Sequence, residues 1–153
     1  MRKTVAAAST LLILAVSAIT ALAADGIINV KSSLSAQETA ARLGSILTQK
    51  GMTIFNRIPH SAIAAPVGVN LRNTELVIFG NPRVGSPLMK CKQSVAIDLP
   101  QKALIWEDET GQVWISYNDP KYLKKRHSIK GCEEVIAKIE KALADITRAA
   151  TTE

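Results

Sequence analysis

The chain has 153 residues, of which 47% are hydrophobic and 21% are charged. This length leaves room for a processing segment and one domain that buries a core of its own, and no internal repeat or second-domain linker is visible. The formal net charge is +6, but the basic residues are dispersed and aromatic residues make up only 4%. The composition therefore argues against a nucleic-acid-binding protein.

The N-terminus has the three-part pattern of a secretory signal peptide. Two basic residues precede an apolar run from Val5 to Leu22, small residues follow, and the chain turns polar at Asp25. The pattern predicts cleavage after Ala23, so that residues 1–23 are the signal peptide and residues 24–153 form a periplasmic or secreted domain. An uncleaved anchor helix is the alternative, since about 20 apolar residues can cross a bilayer. The domain alone has 17 basic and 13 acidic residues, a net charge of +4.

The first part of the domain is predicted to form a strand, a helix and a second strand. Ile27–Lys31 is short and β-branched, which predicts the first strand. Ser35 and Glu38 have the spacing of a capping box, so a helix is expected from Ala36 to about Lys50. Met52–Asn56 is the second predicted strand. It should pair close to the first strand or lie beside the helix.

The middle of the chain predicts a short helical turn, a third strand and a sharp turn. The helical turn is expected from Pro59 to Ala65. Residues Glu75–Gly80 predict the third strand, and because the run from Leu76 to Phe79 is apolar throughout, we expect a central strand covered on both faces. The Gly80-Asn81-Pro82 sequence predicts a sharp turn, since glycine permits a positive φ and proline cannot continue a ladder.

A short helix and a hairpin are predicted next. Four apolar residues recur at spacings of four, three and four, which predicts one apolar helix face. They are Val84, Leu88, Cys91 and Val95. Strands are then expected at Ala103–Glu107 and Gln112–Tyr117, around a three-residue loop that ends in Gly111. This register predicts that Trp106 and Trp114 are cross-strand neighbours.

Two helical segments are predicted at the C-terminus. Asp119 as N-cap and Pro120 as first residue begin a basic helix that ends near His127. Gly131 separates this helix from the last one, whose apolar face should pack on the sheet. That face carries Cys132, Val135, Ile136, Ile139, Leu143 and Ile146. Residues 147–153 are expected to fray.

Several short motifs follow one another in a characteristic order. They are Gly51-Met52-Thr53-Ile54-Phe55, Ile58-Pro59-His60, Gly80-Asn81-Pro82, Gly85, Pro87-Leu88-Met89 and Asn118-Asp119-Pro120, with an amphipathic helix at the end. Over about residues 27–146 this order resembles a bacterial family known as domain of unknown function 302 (DUF302). The family signature falls on Gly80, Asn81, Pro82, Gly85, Pro87 and Met89. The resemblance implies a compact α+β domain, with an antiparallel sheet packed by two main helices plus short helices, and it implies no established activity.

Catalytic and metal-binding patterns are weak in this chain. The Gly80–Gly85 loop lacks the lysine-hydroxyl pair of a P-loop and the third glycine of a dinucleotide motif, so a structural turn is favoured. Met89 and Cys91 could be soft metal ligands, but no clustered second half accompanies them, so no metal or cofactor is predicted and Met89 is interpreted as core filler. No motif of a nucleophilic enzyme accompanies His60 or His127, which are expected to be exposed helix-end residues.

Two groups of charged residues are interpreted as solvated surface. The carboxylates of residues 107–109 crowd a hairpin turn, and acid-base work would need them in a cleft. The predicted helix after Asp119 and the residues that follow it carry a basic cluster that consists of Lys121, Lys124, Lys125, Arg126 and Lys130. Phospholipid headgroups or a polyanion would explain this basic cluster, and a solvated helix face explains it equally well.

The sequence thus predicts an exported, non-enzymatic domain that binds an unidentified ligand or partner at a surface or groove between sheet and helices. The alternative is a thiol-dependent redox or metal-handling protein that uses Cys91 and Cys132. Both cysteines lie on predicted apolar stripes, and an oxidising compartment would let them pair. A Cys91–Cys132 disulfide is therefore expected, with two buried free thiols as the alternative.

Overall fold

The computed structural model describes residues 26–153, so the predicted signal peptide lies outside the described residues. The strands are β1 (Ile27–Lys31), β2 (Thr53–Pro59), β3 (Thr74–Gly80), β4 (Gln101–Glu107) and β5 (Val113–Asn118). The helices are α1 (Ala36–Gln49), α2 (His60–Ala64), α3 (Pro82–Cys91), α4 (Pro120–Arg126) and α5 (Glu133–Thr151), with 3₁₀ helices at Ala65–Val67 and Gln93–Ile97. Among the described helices, none has the length and apolarity needed to cross a bilayer.

The five strands form one antiparallel sheet in the order β1-β5-β4-β3-β2. This arrangement confirms the α+β class, with α1 and α5 as the two main helices. β2 pairs with β3 at the edge opposite β1, so the alternative that β2 pairs close to the first strand is wrong. The four antiparallel pairings make β1 and β2 run in the same direction, so a crossover connection through α1 joins them rather than a tight turn.

The core lies between one face of the sheet and the two main helices. On β3 only Val77 and Phe79 are buried, whereas Leu76 and Ile78 on the other face are half-buried. β3 pairs with both β2 and β4, so it is an inner strand as expected, but the expectation that it is covered on both faces is wrong. β3 lies next to the edge strand, and both main helices pack on the same face of the sheet.

The β4–β5 hairpin has the predicted register. Trp106 is the cross-strand partner of Trp114, and their stacked rings have centroids 6.5 Å apart. Gly111 takes the left-handed conformation with a φ of 81°. The Asp108 carboxylate accepts hydrogen bonds from the Thr110 hydroxyl at 2.7 Å and the Trp114 indole at 2.8 Å, which lower its pKa far below the usual range. Asp108 is thus an anchor of the turn.

The C-terminal helix is longer than predicted. α5 continues to Thr151, so the expectation of fraying from residue 147 is wrong. Thr147, Ala150 and Thr151 are buried, and the Thr151 carbonyl accepts a hydrogen bond from the backbone N–H of Ser33 at 3.0 Å. The β1–α1 connection therefore holds the end of α5 in place.

The apolar face predicted from Val84 to Val95 is interrupted. α3 ends at Cys91, the backbone is extended at Lys92, and Val95 lies in the 3₁₀ helix that follows. Val95 is buried but Cys91 is exposed, so the expectation that Cys91 faces the interior is wrong. Cys132 is 9% exposed and is the N-cap of α5 rather than a residue within it.

Candidate functional site

A pocket of about 290 Å³ opens between the sheet and two of the helices. The start of β2, the end of β3 and the segment that leads into β4 line one part of the pocket, and α3 and α5 line the rest. The larger apolar residues that line it include Phe55, Phe79, Val84, Met89, Leu99 and Leu143. The pocket is therefore an almost wholly apolar space beside the core.

Most of the family signature borders this pocket. Gly80, Asn81, Pro82, Gly85 and Met89 line it, whereas Pro87 is not among its lining residues. Met89, interpreted from the sequence as core filler, is half-buried in the pocket wall. The signature loop thus lies where a ligand could be held.

Asn81 and Pro82 make the turn that leads from β3 into α3. Asn81 is the N-cap, and its Oδ1 accepts a hydrogen bond from the Arg83 backbone N–H at 2.9 Å. Its Nδ2 donates to the Gly51 carbonyl at 3.3 Å. Gly80 remains in the strand without a positive φ, so the expectation that a left-handed Gly80 makes this turn is wrong. The cap and the proline at the first helical position are sufficient for the change in direction.

Polar groups at the pocket are few. Ser86, Gln101 and Lys138 line it, and within residues 26–153 their side chains make no hydrogen bond or ion pair. Asn81 also lines the pocket, but both polar atoms of its side chain are already bonded within the protein. A ligand would therefore meet apolar walls together with one amide, one hydroxyl and one ammonium group.

The two cysteines form a disulfide. The bond joins Cys91, the last residue of α3, to Cys132, the N-cap of α5, with the Cα atoms 6.5 Å apart. It thus links two helices that both line the pocket. Among the described residues, no three of the His, Cys, Asp and Glu side chains are grouped as metal ligands would be.

A second cluster lies at the C-terminal end of α4. His127 is 9% exposed, so the expectation that it is an exposed helix-end residue is wrong, whereas His60 at the start of α2 is exposed. The His127 Nε2 lies 2.5 Å from Asp98 Oδ2, and its Nδ1 lies 3.1 Å from Ser94 Oγ. The other Asp98 oxygen accepts a hydrogen bond from Arg126 at 3.1 Å. The sequence did not predict this His127 network.

The His127 network has the order of a serine, a histidine and an aspartate. Such a chain would let the imidazole accept a proton from the hydroxyl group. Ser94, however, is not among the residues that line the pocket. Its partners instead tie the end of α4 to the 3₁₀ helix before β4, so we interpret the His127 network as structural.

The basic cluster is largely neutralised by neighbouring carboxylates. Its three ion pairs are Lys121–Glu140 at 2.7 Å, Lys124–Glu133 at 3.1 Å and Arg126–Asp98 at 3.1 Å. The hydrogen bond to Glu140 also raises the pKa of Lys121. Lys125 and Lys130 are exposed and form no such pair with a described residue. The basic cluster therefore offers a polyanion less free charge than its composition indicates.

Sequence reasoning missed the contribution of α5 to the pocket. Lys138 and Ala142 line it beside Ile139 and Ile146. A signal was present, because Ile139, Ala142 and Ile146 recur at spacings of three and four, and a small residue within an apolar stripe leaves room against the facing element.

Comparison with known proteins identifies relatives of this chain. A family model described as "Domain of unknown function DUF302" matches residues 28–146. The Fluoride-specific ion channel FluC 1 of Brucella suis biovar 1 is 42% identical over 114 residues, which cover 74% of this chain and 45% of that protein. FluC 1 of Brucella abortus biovar 1 has the same identity over 114 residues, which cover 42% of its length. The chain thus spans less than half the length of these curated relatives.

A solved structure has the same fold. The crystal structure of an uncharacterised conserved DUF302 protein from Bacillus stearothermophilus superposes with a TM-score of 0.75. The match covers 83% of this chain and 99% of that chain, with 22% sequence identity. At this identity the likeness shows the fold alone.

Proposed function

This chain belongs to the DUF302 family, and we propose that it is a non-enzymatic domain, periplasmic or secreted, that binds a small apolar ligand carrying one acidic or hydrogen-bonding group. The observation that carries the proposal is the apolar pocket bordered by the signature loop. Its volume of about 290 Å³ is at the small end of the range for ligand sites.

The lining of the pocket defines the chemistry of the ligand. Apolar walls favour an aliphatic or aromatic body, because burying apolar surface contributes about 25 cal/mol per Å². Lys138 is exposed and supplies an unpaired ammonium group, while Gln101 and Ser86 supply hydrogen-bonding groups. A short-chain or medium-chain carboxylate combines these features in one molecule.

Export is supported by the signal-peptide pattern of the N-terminal residues. The channel name belongs to longer proteins of which this chain matches less than half, so fluoride transport is not part of the proposal. The position of the domain outside the cytoplasm would be tested by sequencing the N-terminus of the mature protein from a cell fraction.

A thiol-dependent redox or metal-handling protein is the second candidate. It is favoured by one observation, the exposed position of Cys91 in the disulfide. Titration of the oxidised and the reduced protein with copper and zinc, alongside a free-thiol assay, distinguishes the two candidates. Metal binding that appears only on reduction would favour this second one.

Calorimetric titration with octanoate tests the ligand-binding proposal. Ala142→Phe should abolish binding, because Ala142 lines the pocket and the added ring would occupy it. Ala137→Phe is the matched control, since Ala137 is exposed on the same helix and does not line the pocket. The proposal fails if octanoate and 1-octanol both leave the protein without a heat of binding, or if the two variants bind alike.

Lys138→Met tests the acidic group of the ligand. Methionine keeps an unbranched side chain, one atom shorter, and removes the charge, so octanoate should bind about two- to fivefold more weakly while 1-octanol binds unchanged. An equal loss for both ligands would mean that Lys138 contributes packing and not charge recognition.

A further inference from the structure

We propose that the Cys91–Cys132 disulfide regulates the pocket: when the bond is reduced, the C-terminal end of α3 separates from α5 and ligand affinity falls. This inference rests on the proposed ligand-binding function. In this inference the redox state of the two cysteines sets the affinity for the ligand, and the ligand is neither oxidised nor reduced.

The position of the bond supports this inference. Cys91 ends α3 and Cys132 precedes the first residue of α5, so one covalent link joins two helices that line the pocket. Val84 and Met89 on α3 line the pocket together with Ile139 on α5. A change in the spacing of these helices would therefore change the shape of the pocket.

The two helices differ in how firmly the rest of the protein holds them. Among the ten residues of α3 only Leu88 is buried, and Pro87 within the helix has no N–H to donate to the preceding turn. The other end of α3 is held by the Asn81 cap and its bond to Gly51. α5 has seven buried residues along its 19-residue length. Loss of the disulfide should therefore move α3 about its N-terminus and leave α5 in place.

Only one of the two cysteines of the disulfide is exposed to solvent. Cys91 is exposed and Cys132 is buried, so an incoming thiolate can approach the Cys91 sulfur. Lys90 and Lys92 flank Cys91, and both are exposed, which favours the approach of an anion.

The reductant is a dithiol, which reduces the bond by thiol–disulfide exchange. Its thiolate forms a mixed disulfide with Cys91, and the sulfur–sulfur bond breaks to release Cys132 as a thiolate that takes up a proton. The second thiol of the reductant then attacks the mixed disulfide and releases Cys91. Two electrons pass to the protein, and the reductant leaves as a cyclic disulfide.

The test compares octanoate affinity of the full mature protein before and after reduction by dithiothreitol. If reduction leaves about one tenth of the molecules with α3 and α5 in the arrangement that binds the ligand, the apparent dissociation constant rises about tenfold. The double variant with Cys91→Ala and Cys132→Ala should show the same rise without reductant, and dithiothreitol should not change it further. Circular dichroism and tryptophan fluorescence verify that both forms are folded.

Leu123→Ala is the matched control for a general loss of stability. Leu123 is a fully buried residue of α4 and does not line the pocket, so this variant should be destabilised but should bind octanoate as the oxidised protein does. If Leu123→Ala weakens binding as much as reduction does, the proposed control by α3 is overturned.

Hydrogen exchange of the reduced wild-type protein provides a measurement that needs neither ligand nor variant. The amides of α3 should exchange at least about tenfold faster than in the oxidised protein, while those of β4 and β5 are unchanged. Unchanged exchange in α3, or equal octanoate affinity in both redox states, overturns the inference. Failure of the oxidised protein to bind either octanoate or 1-octanol overturns the proposed function instead, and the exchange data then still report whether α3 is released.

Discussion

Replacement of His127 by alanine tests whether the His127 network stabilises the fold. The imidazole contacts Asp98 at 2.5 Å and Ser94 at 3.1 Å. The side chains of His127 and Asp98 are 8% and 11% exposed, so water replaces these contacts poorly once the ring is removed.

The expected loss follows from the individual contacts. A hydrogen bond to a charged group contributes about 1.5–3 kcal/mol, and the bond to the exposed Ser94 contributes at most about 1 kcal/mol. Asp98 keeps its contact with Arg126, so the full cost of an unpaired buried charge is not reached. His127→Ala should therefore lower the free energy of unfolding by about 2–4 kcal/mol.

Both tryptophans lie in the β4–β5 hairpin, so their fluorescence reports the unfolding of the sheet. Urea denaturation followed by this fluorescence therefore measures the loss of stability. The midpoint should fall while the slope stays constant. Ser94→Ala is the matched control and should cost under about 1 kcal/mol, since it removes only the weaker of the two contacts. A His127→Ala loss below about 1 kcal/mol, or equal losses for the two variants, would refute the structural role.

Three further predictions concern the hairpin, the C-terminus and the basic cluster. Because the pKa of Asp108 is lowered in the folded state, its contribution to stability is present above its unfolded pKa of about 3.9 and is lost as the pH falls below that value. The free energy of unfolding of Asp108→Asn should therefore fall less steeply with decreasing pH in this range than that of the wild type, and an equal pH dependence of the two proteins would contradict this. A chain that ends at Ile146 should lose more than about 2 kcal/mol of stability, whereas one that ends at Thr151 should match the full chain within about 0.5 kcal/mol, and equal stabilities would mean that the last turns of α5 do not pack. The double variant with Lys124→Ala and Lys125→Ala should change stability by under about 1 kcal/mol in thermal unfolding, and a cooperative loss of fold would refute the surface role of these residues.

The sequence by itself determined the features that depend on neighbouring residues. The Ser35 hydroxyl accepts a hydrogen bond from the Glu38 backbone while the Glu38 carboxylate accepts one from the Ser35 backbone, which is the predicted capping box. The hairpin register followed from the position of Gly111 relative to Trp106 and Trp114, because the loop length determines which residues face each other. Such features need only a few residues in one segment, so their pattern can be recognised directly.

Only the tertiary structure decided how distant segments meet. The edge position of β2, the burial of His127 and the pocket between α3 and α5 all depend on contacts between segments far apart in the chain. Periodicity indicates that a face is apolar, but it does not specify which element covers that face or how completely. For this reason the signature residues could be recognised in the sequence, whereas the pocket they border and the position of Lys138 beside it required the assembled fold.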